Sequence, residues 1–321
     1  MTSEKELTTI KEQFEIFSKN RNVQNSKLEE FVVDEKIDCY NPSIPFIING
    51  TEYILCRTQE RKGEYSKVYC FKKDVDKWVI EESFKPLPLE DPSIAFINNK
   101  IIVSGVNVTF GDNVNTFTEW KTDFYVGDSI YNLEYLTSGP DHMKDIRLVQ
   151  LKDSKIGIFT RPLGEYVTDG HKAKIGFTIV DKIEDINKDV ISNAPLLNDF
   201  FRKEEWGGCN SAYLLKNGLI GVIGHKSYYS NEDGKDHLHY YGTYFVIDPE
   251  TCKTTDMNII ISRDCFPYFE PREERLSDIT FTSGIVRNSD GTAKIYAGLS
   301  DSAVGSAIIK DPFIEYENLK V

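Results

Sequence analysis

Asn210-Ser211-Ala212-Tyr213-Leu214-Leu215-Lys216-Asn217-Gly218-Leu219-Ile220-Gly221-Val222-Ile223-Gly224-His225 decides how the rest of the chain is read. Two apolar runs flank Asn217-Gly218, and Asn-Gly between such runs is the strongest short-range hairpin signal. A polar residue, Asn210, leads into the first strand, and His225 ends the second. The pattern recurs four times. Asn41 to Ile48 precede Asn49-Gly50 and then Tyr53 to Cys56, which end in Arg57. Asp91 to Ile97 precede Asn98-Asn99 and Ile101 to Val103. Asp145 to Leu151 precede Lys152-Asp153-Ser154 and Ile156 to Phe159, followed by Arg161. Asp278 to Phe281 lead through Asp290-Gly291 to Ile295 to Gly298.

The leading polar residue thus returns every 50 to 68 residues. A long period with strands and turns in each unit is the mark of a β-propeller, in which each small sheet buries its faces against its neighbours. Further strand-like runs follow each hairpin, as at 67–71, 123–126, 174–180, 240–247 and 303–309. Five units predict an all-β, five-bladed β-propeller over residues 1–321, a single domain. Residues 1–30 supply a lead-in. Ser3 and Glu6 resemble a capping box, Leu7, Ile10, Phe14 and Phe17 share a helical face, and Lys27 to Val33 offer a strand that closes the ring. Residues 181–206 break the rhythm. They read as a helical insertion between blades three and four, with one helix near Ile183, Ile186 and Val190 and a second over Leu196 to Phe201. Residues 226–240 read as a long hairpin loop.

The chain has 321 residues, a net charge of −13 and a pI near 5.0, which disfavours nucleic acid and anionic membrane surfaces as partners. It has no apolar run of membrane-spanning length and no apolar signal core near its start. The six cysteines show no Cys-x-x-Cys spacing and read as reduced, mostly buried thiols of a cytoplasmic protein. His237 and His239 share a strand face beside Asp236 but lack the further ligand that a metal site needs, so none is expected, nor any cofactor.

In a propeller the innermost strands start at one mouth of the axial channel. Asn41, Asp91, Asp145, Asn210 and Asp278 would ring that mouth. Converging carboxylates suit glycosyl transfer, which needs a protonated acid and a second carboxylate; like charges held close keep one of them protonated. A lone Asp at a strand start often only caps a turn. Five at equivalent places are harder to explain that way. Arg57, Lys144, Arg161 and His225 form a second set, fit either for a phosphate site or for a structural ion-pair network. Trp206 is a sugar-stacking platform or simply core.

At these residues the chain resembles the five-bladed β-propeller glycosidases. It is similar in motif to the mannoside phosphorylase and hydrolase family, family 130 of the glycoside hydrolases, and more closely to an uncharacterised bacterial branch of that clan. The resemblance spans about residues 38 to 313. It rests on Tyr40-Asn41-Pro42, Arg57 with Glu60-Arg61, Glu90-Asp91-Pro92, Gly139-Pro140 with Met143 to Arg147, Phe159 to Pro162, Glu205 to Gly208, Gly224-His225 and Gly298 to Asp301. It implies Asp91 as proton donor, with Arg57, Lys144, Arg161 and His225 holding inorganic phosphate as co-substrate. In a hydrolase, Asp145, Glu204, Glu205 or Asp278 would activate water. Asn41, Trp206, Asn210 and Asp301 complete the expected substrate contacts. The implied substrate is a β-linked, mannosyl-type oligosaccharide or glycoside. The competing reading is a carbohydrate-binding or sensing propeller without catalysis, because fold does not fix function.

Overall fold

The computed structural model describes residues 7–111, 117–164, 167, 172–197, 200–232 and 234–319. It is all-β, with strands in antiparallel meanders that follow chain order. The first sheet contains Ile37–Tyr40, Phe46–Ile48, Thr51–Glu60, Ser66–Asp74 and Lys77–Ile80. The second runs from Glu90–Ile97 through Lys100–Phe110 and Phe117–Gly127 to Glu134–Ser138. The third holds Arg147–Gln150, Ile156–Thr160 and Gly176–Val180. The remaining strands, except Glu30–Val32 at the edge of the first sheet, form one larger sheet. Within it, Trp206–Leu214, Ile220–Glu232, Lys235–Ile247 and Asn258–Ile261 make one group, and Asp278–Arg287, Thr292–Leu299 and Ala303–Lys310 make the next. A short parallel contact, His239 with Asp278 and Tyr240 with Ile279, joins the two groups.

The core lies between consecutive groups. Phe46, Leu55, Val68, Leu87 and Val103 join the first sheet to the second. Ile102, Phe124, Ile146 and Ile158 join the second to the third. Phe159, Phe177, Val222 and Phe245 continue to the fourth group. Ile223, Val246, Ile285 and Ile295 reach the fifth. Cys39, Ile54, Phe71, Trp78, Tyr296 and Val304 then join the last group to the first. Each strand therefore presents apolar side chains to both faces, which is why the repeats read as apolar runs rather than as strict alternation.

The N-terminal segment ties the two ends together. Val23–Leu28 pairs antiparallel with Ala303–Lys310, and Glu30–Val32 pairs parallel with Lys77–Ile80. Glu29 lies between them with its carboxylate sealed from solvent. It accepts from Ser306 Oγ (2.6 Å), Lys73 Nζ (3.1 Å), Lys294 Nζ (3.1 Å) and Trp78 Nε1 (3.1 Å).

The N-terminal helix spans Ile10–Asn20. Thr9 and Glu12 form its capping box; Ser3 and Glu6 lie outside the described residues. The helix docks against the fourth group, with Phe14 stacked on Tyr241 at 4.7 Å. Between Gly176–Val180 and Trp206–Leu214 the chain forms a short helix, Lys188–Ser192, capped by Asn187. The second helix expected over Leu196 to Phe201 is not seen among the described residues. Leu196 bridges Gly176, and Leu197 N–H donates to Ile175 O, so this segment spends its backbone groups on the sheet edge.

Two further expectations change. The 226–240 segment is not a loop: the strands Ile220–Glu232 and Lys235–Ile247 stay paired from Ile220 with Ile247 out to Glu232 with Lys235. In the opening hairpin only Gly218 takes positive φ, at 96°, whereas Asn49 and Gly50 both do. The Asn217-Gly218 connection is closed by Gly218 N–H to Leu215 O and Leu215 N–H to Leu219 O.

Candidate active site

The first strands of the early sheets begin in a shared backbone shape. Asn41, Asp91 and Asp145 have φ of 44°, 47° and 58°. Asn and Asp tolerate this left-handed region better than most residues, and such strain gathers at functional sites. All three line one cavity of about 530 Å³.

Arg57 organises one wall. Its guanidinium donates to Asp91 Oδ1 (3.2 Å), Glu90 Oε1 (2.8 Å) and Gln59 Oε1 (3.0 Å), while Nε reaches Ser66 Oγ (2.9 Å). It also lies 4.8 Å from the Tyr40 ring centroid. Asn41 Nδ2 donates to the same Asp91 oxygen at 2.9 Å. The close approach of Asn41 requires Gly298: a Cβ there would sit 1.9 Å from Asn41 Oδ1. Asp301, also at positive φ, lines the cavity, and no described residue bonds its carboxylate. Burial raises the Glu90 pKa against the pull of Arg57, and the Asp91 charge raises it further. Burial likewise raises Asp301, with Arg57 opposing and Asp91 adding. Glu90 and Asp301 thus hold a proton more readily than isolated carboxyls would.

The opposite wall is cationic. Asp145 is 1% exposed and accepts from Arg161 Nη1 (2.9 Å) and Arg147 Nη2 (3.3 Å). Burial opposes its ionisation, but Arg161 and Arg147 outweigh that and hold its pKa low. It is a fixed anion that aims Arg161, whose Nε also donates to Gly207 O at 2.9 Å. Arg161 Nη2 makes no hydrogen bond among the described residues. Lys144 lines the cavity and forms no ion pair with any described residue. His225 is fully buried, with Nδ1 2.7 Å from Asn210 Oδ1. Burial, then Arg161 and Lys144, push its pKa well down, so the ring is neutral. A carbonyl oxygen can only accept, so Nδ1 carries the hydrogen and Nε2 is left with a lone pair and no partner.

Gly208 makes room for this wall. A Cβ there would lie 2.9 Å from Arg161 Cδ and 3.1 Å from His225 Cε1. Gly208→Ala is therefore expected to weaken binding of inorganic phosphate, the simplest anion probe for these cations, by about tenfold or more, the effect of roughly 1–3 kcal/mol of overpacking. Titration calorimetry with phosphate checks this; unchanged affinity would show that Arg161 and His225 do not set the anion contact.

A second cavity of about 390 Å³ adjoins the first through Glu90, Lys144, Arg161, Tyr229 and Tyr240. Its walls are aromatic and apolar, with Trp120, Trp206, Val106 and Leu163 among them. Trp206 packs on Tyr229 at 4.8 Å and donates from Nε1 to Tyr240 OH at 3.2 Å. Lys172 Nζ lies 4.2 Å from the Trp206 ring centroid.

Asn41, Arg57, Asp91, Lys144, Asp145, Arg161, His225 and Asp301 therefore come together, with Trp206 in the adjoining lobe and Asn210 behind His225. Asp278, expected at the same mouth, is outside. A bulge between Cys209 and Ser211 and another between Thr282 and Gly284 place Asn210 and Ser283 at matching points of their strands. Asp278 lies upstream, where it bonds His239 and Tyr241. Glu205 is also outside. It is buried against Lys226 (2.8 Å) and accepts from Ile10 N–H (2.8 Å), anchoring the N-terminal helix. Glu204 is exposed and does not line the cavity. Glu90, Tyr40 and Arg147 sit beside residues already singled out, and their adjacency in the motifs was the available signal. Arg272, from an irregular segment without periodicity, had none.

Comparison with known proteins agrees with a fold of this kind. Residues 15–315 match the family described as Protein of unknown function (DUF1861), and the chain belongs to that family. It is similar to a mannose phosphorylase from Leishmania mexicana solved in complex with phosphate ion, at 35% identity and a TM-score of 0.89, covering 97% of this chain and 95% of that one. It is likewise similar to a GDP-Man-dependent mannosyltransferase from Leishmania mexicana, at 34% identity and a TM-score of 0.88, with 95% of each chain covered. A β-1,2-mannobiose phosphorylase from Listeria innocua shares the fold at 13% identity, with a TM-score of 0.62, over 89% of this chain and 94% of that one. No curated protein sequence matches.

Proposed function

We propose that the protein is a cytoplasmic mannoside phosphorylase, a single five-bladed β-propeller that cleaves a β-linked mannosyl unit with inorganic phosphate. The observation that carries this reading is the set of unspent groups on the cationic wall. Lys144 Nζ and Arg161 Nη2 have donors with no described partner, and His225 Nε2 has an unpartnered lone pair. Hydrogen phosphate offers oxygens for the first two and a P–OH for the third. The phosphate-bound relative at 35% identity supports the same choice. The ring of five core clusters supports the blade count.

In this reading the mannosyl unit lies between the two walls. Asp301 accepts its hydroxyls. Asp91 delivers a proton to the leaving oxygen, directly or by way of a sugar hydroxyl. A phosphate oxygen forms the new bond to the anomeric carbon as the glycosidic bond breaks. The aromatic lobe holds the departing group. Asp145 orients Arg161 throughout.

The test is titration of inorganic phosphate into the wild type and Lys144→Ala, followed by phosphate-dependent cleavage of β-mannobiose. Lys144→Ala is expected to weaken phosphate binding about tenfold, within the range for one charge-assisted contact. No phosphate binding to the wild type would sink phosphorolysis and leave hydrolysis or simple carbohydrate binding. A second reading, mannosyl transfer from a nucleotide sugar, is favoured by the aromatic lobe beside the cations and by the mannosyltransferase relative. Binding of GDP that exceeds binding of phosphate would select it.

A further inference from the structure

The 220–247 ribbon has two faces with different chemistry. Tyr229, Leu238 and Tyr240 line the cavity, so by alternation Tyr228, Ser230, His239 and Tyr241 lie on the other side. There Ser230 Oγ stands 2.7 Å from His239 Nε2, and His239 Nδ1 stands 2.7 Å from Asp278 Oδ2. Tyr241 OH donates to the same carboxylate oxygen at 3.0 Å. The Tyr228 ring lies almost flat on the imidazole, with centroids 4.4 Å apart and planes 12° apart. The ring is thus fixed both in its plane and at both nitrogens.

An ionised carboxylate can only accept, so Nδ1 carries the hydrogen and Nε2 presents its lone pair to the Ser230 hydroxyl. Ser, His and Asp bonded in that order make a nucleophile, and the arrangement is recognised by geometry rather than by fold. The side chains of His239 and Asp278 are 13% and 35% exposed, and Ser230 is half-buried, so small molecules can reach the group. Beyond Ser227 no described strand pairs with the outer edge of Ile220–Glu232. Alternate peptide N–H groups along that edge face outward and can receive a developing oxyanion.

We propose that Ser230, His239 and Asp278 form a second reactive centre, separate from the sugar cavity, that takes short acyl esters. It lies beside the N-terminal helix, whose Phe14 and Phe17 pack with Tyr228 and Tyr241 on the same face, so the space left admits only a small acyl group such as O-acetyl. Ser230 Oγ forms a bond to the carbonyl carbon and its proton passes to His239 Nε2. The bond to the alkoxy oxygen breaks, and that oxygen leaves with the proton as an alcohol. Water then attacks the acyl-serine, gives a proton through His239 to Ser230 Oγ, and releases the acid. Asp278 stays ionised and steadies the imidazolium.

The experiment treats the full chain with a fluorophosphonate probe, maps the adduct by peptide mass, and follows hydrolysis of p-nitrophenyl acetate. One adduct on Ser230 is expected. Ser230→Ala should abolish it while leaving phosphate-dependent mannoside cleavage unchanged, and His239→Gln should slow labelling at least about 100-fold, the lower range for a general base. Mapping on the wild type decides the matter even if a variant folds poorly. No adduct, an adduct elsewhere that survives Ser230→Ala, or unchanged labelling of His239→Gln would overturn the proposal. The three residues would then be a hydrogen-bond clamp between the ribbon and the strand Asp278–Arg287.

Discussion

Asp91→Asn is expected to lower phosphate-dependent cleavage of β-mannobiose by about 10²–10⁴-fold, the usual contribution of a positioned general acid. The fold should survive. An Asn carbonyl can still accept from Asn41 Nδ2 and Arg57 Nη1, which now stand 2.9 and 3.2 Å from Asp91 Oδ1. What is lost is the titratable group. A second consequence has a definite sign: the Asp91 charge raises the pKa of both Glu90 and Asp301, so its removal lets both fall. Residual activity that draws its proton from Glu90 or Asp301 should therefore be lost at lower pH on the alkaline side than in the wild type. Initial rates across pH, with a thermal melt of each protein, check both statements. A variant that keeps a third or more of wild-type activity would remove Asp91 from the acid role.

Glu29→Ala is expected to cost about 3–5 kcal/mol, the range for deleting one partner of a buried ion pair. It would leave the Lys73 and Lys294 ammonium groups facing each other and Ser306 without its acceptor. The loss falls where the N-terminal segment ties the last group of strands to the first. The pH dependence follows from the same site. Burial alone would raise the Glu29 pKa, but Ser306, Lys294 and Lys73 bring it to about 2. A folded-state value below the unfolded one means the stabilisation is complete above the unfolded carboxyl range, near pH 4.3, and is lost as pH falls toward 2. Urea midpoints of wild type and variant should converge over that window. A constant gap between them down to pH 2 would contradict the role given to Glu29.

Much of this was readable in the chain. The five occurrences of a polar residue before paired apolar runs located the strand groups because each unit must bury both faces against neighbours, and that demand is written into composition. Asn41, Asp91 and Asp145 were identified by position in the repeat, and their shared positive φ gives that position a physical meaning. The repeat misled where spacing alone set the register. Asp278 opens its strand as Asp91 does, but the bulge that turns a residue toward the axis comes later, at Ser283. Glu205 beside Trp206 looked like part of the sugar site, yet the two side chains point to different surroundings: one lies under the N-terminal helix, the other in the aromatic lobe.

The sequence by itself determined the all-β repeat, the terminal closure and the residue types that meet at one mouth, because these depend on periodicity and on charge placed at fixed points in it. Only the tertiary structure decided which charges are already spent. Asp145 is consumed by Arg147 and Arg161, and Arg57 divides itself between Glu90 and Asp91, while Lys144, one arm of Arg161 and His225 Nε2 remain unspent among the described residues. Pairing depends on distances of a few ångströms between residues far apart in the chain, and no local pattern encodes those. The same reason hid the contact between Ser230, His239 and Asp278, which exists only because a parallel junction sets Asp278 beside a ribbon from the preceding group of strands.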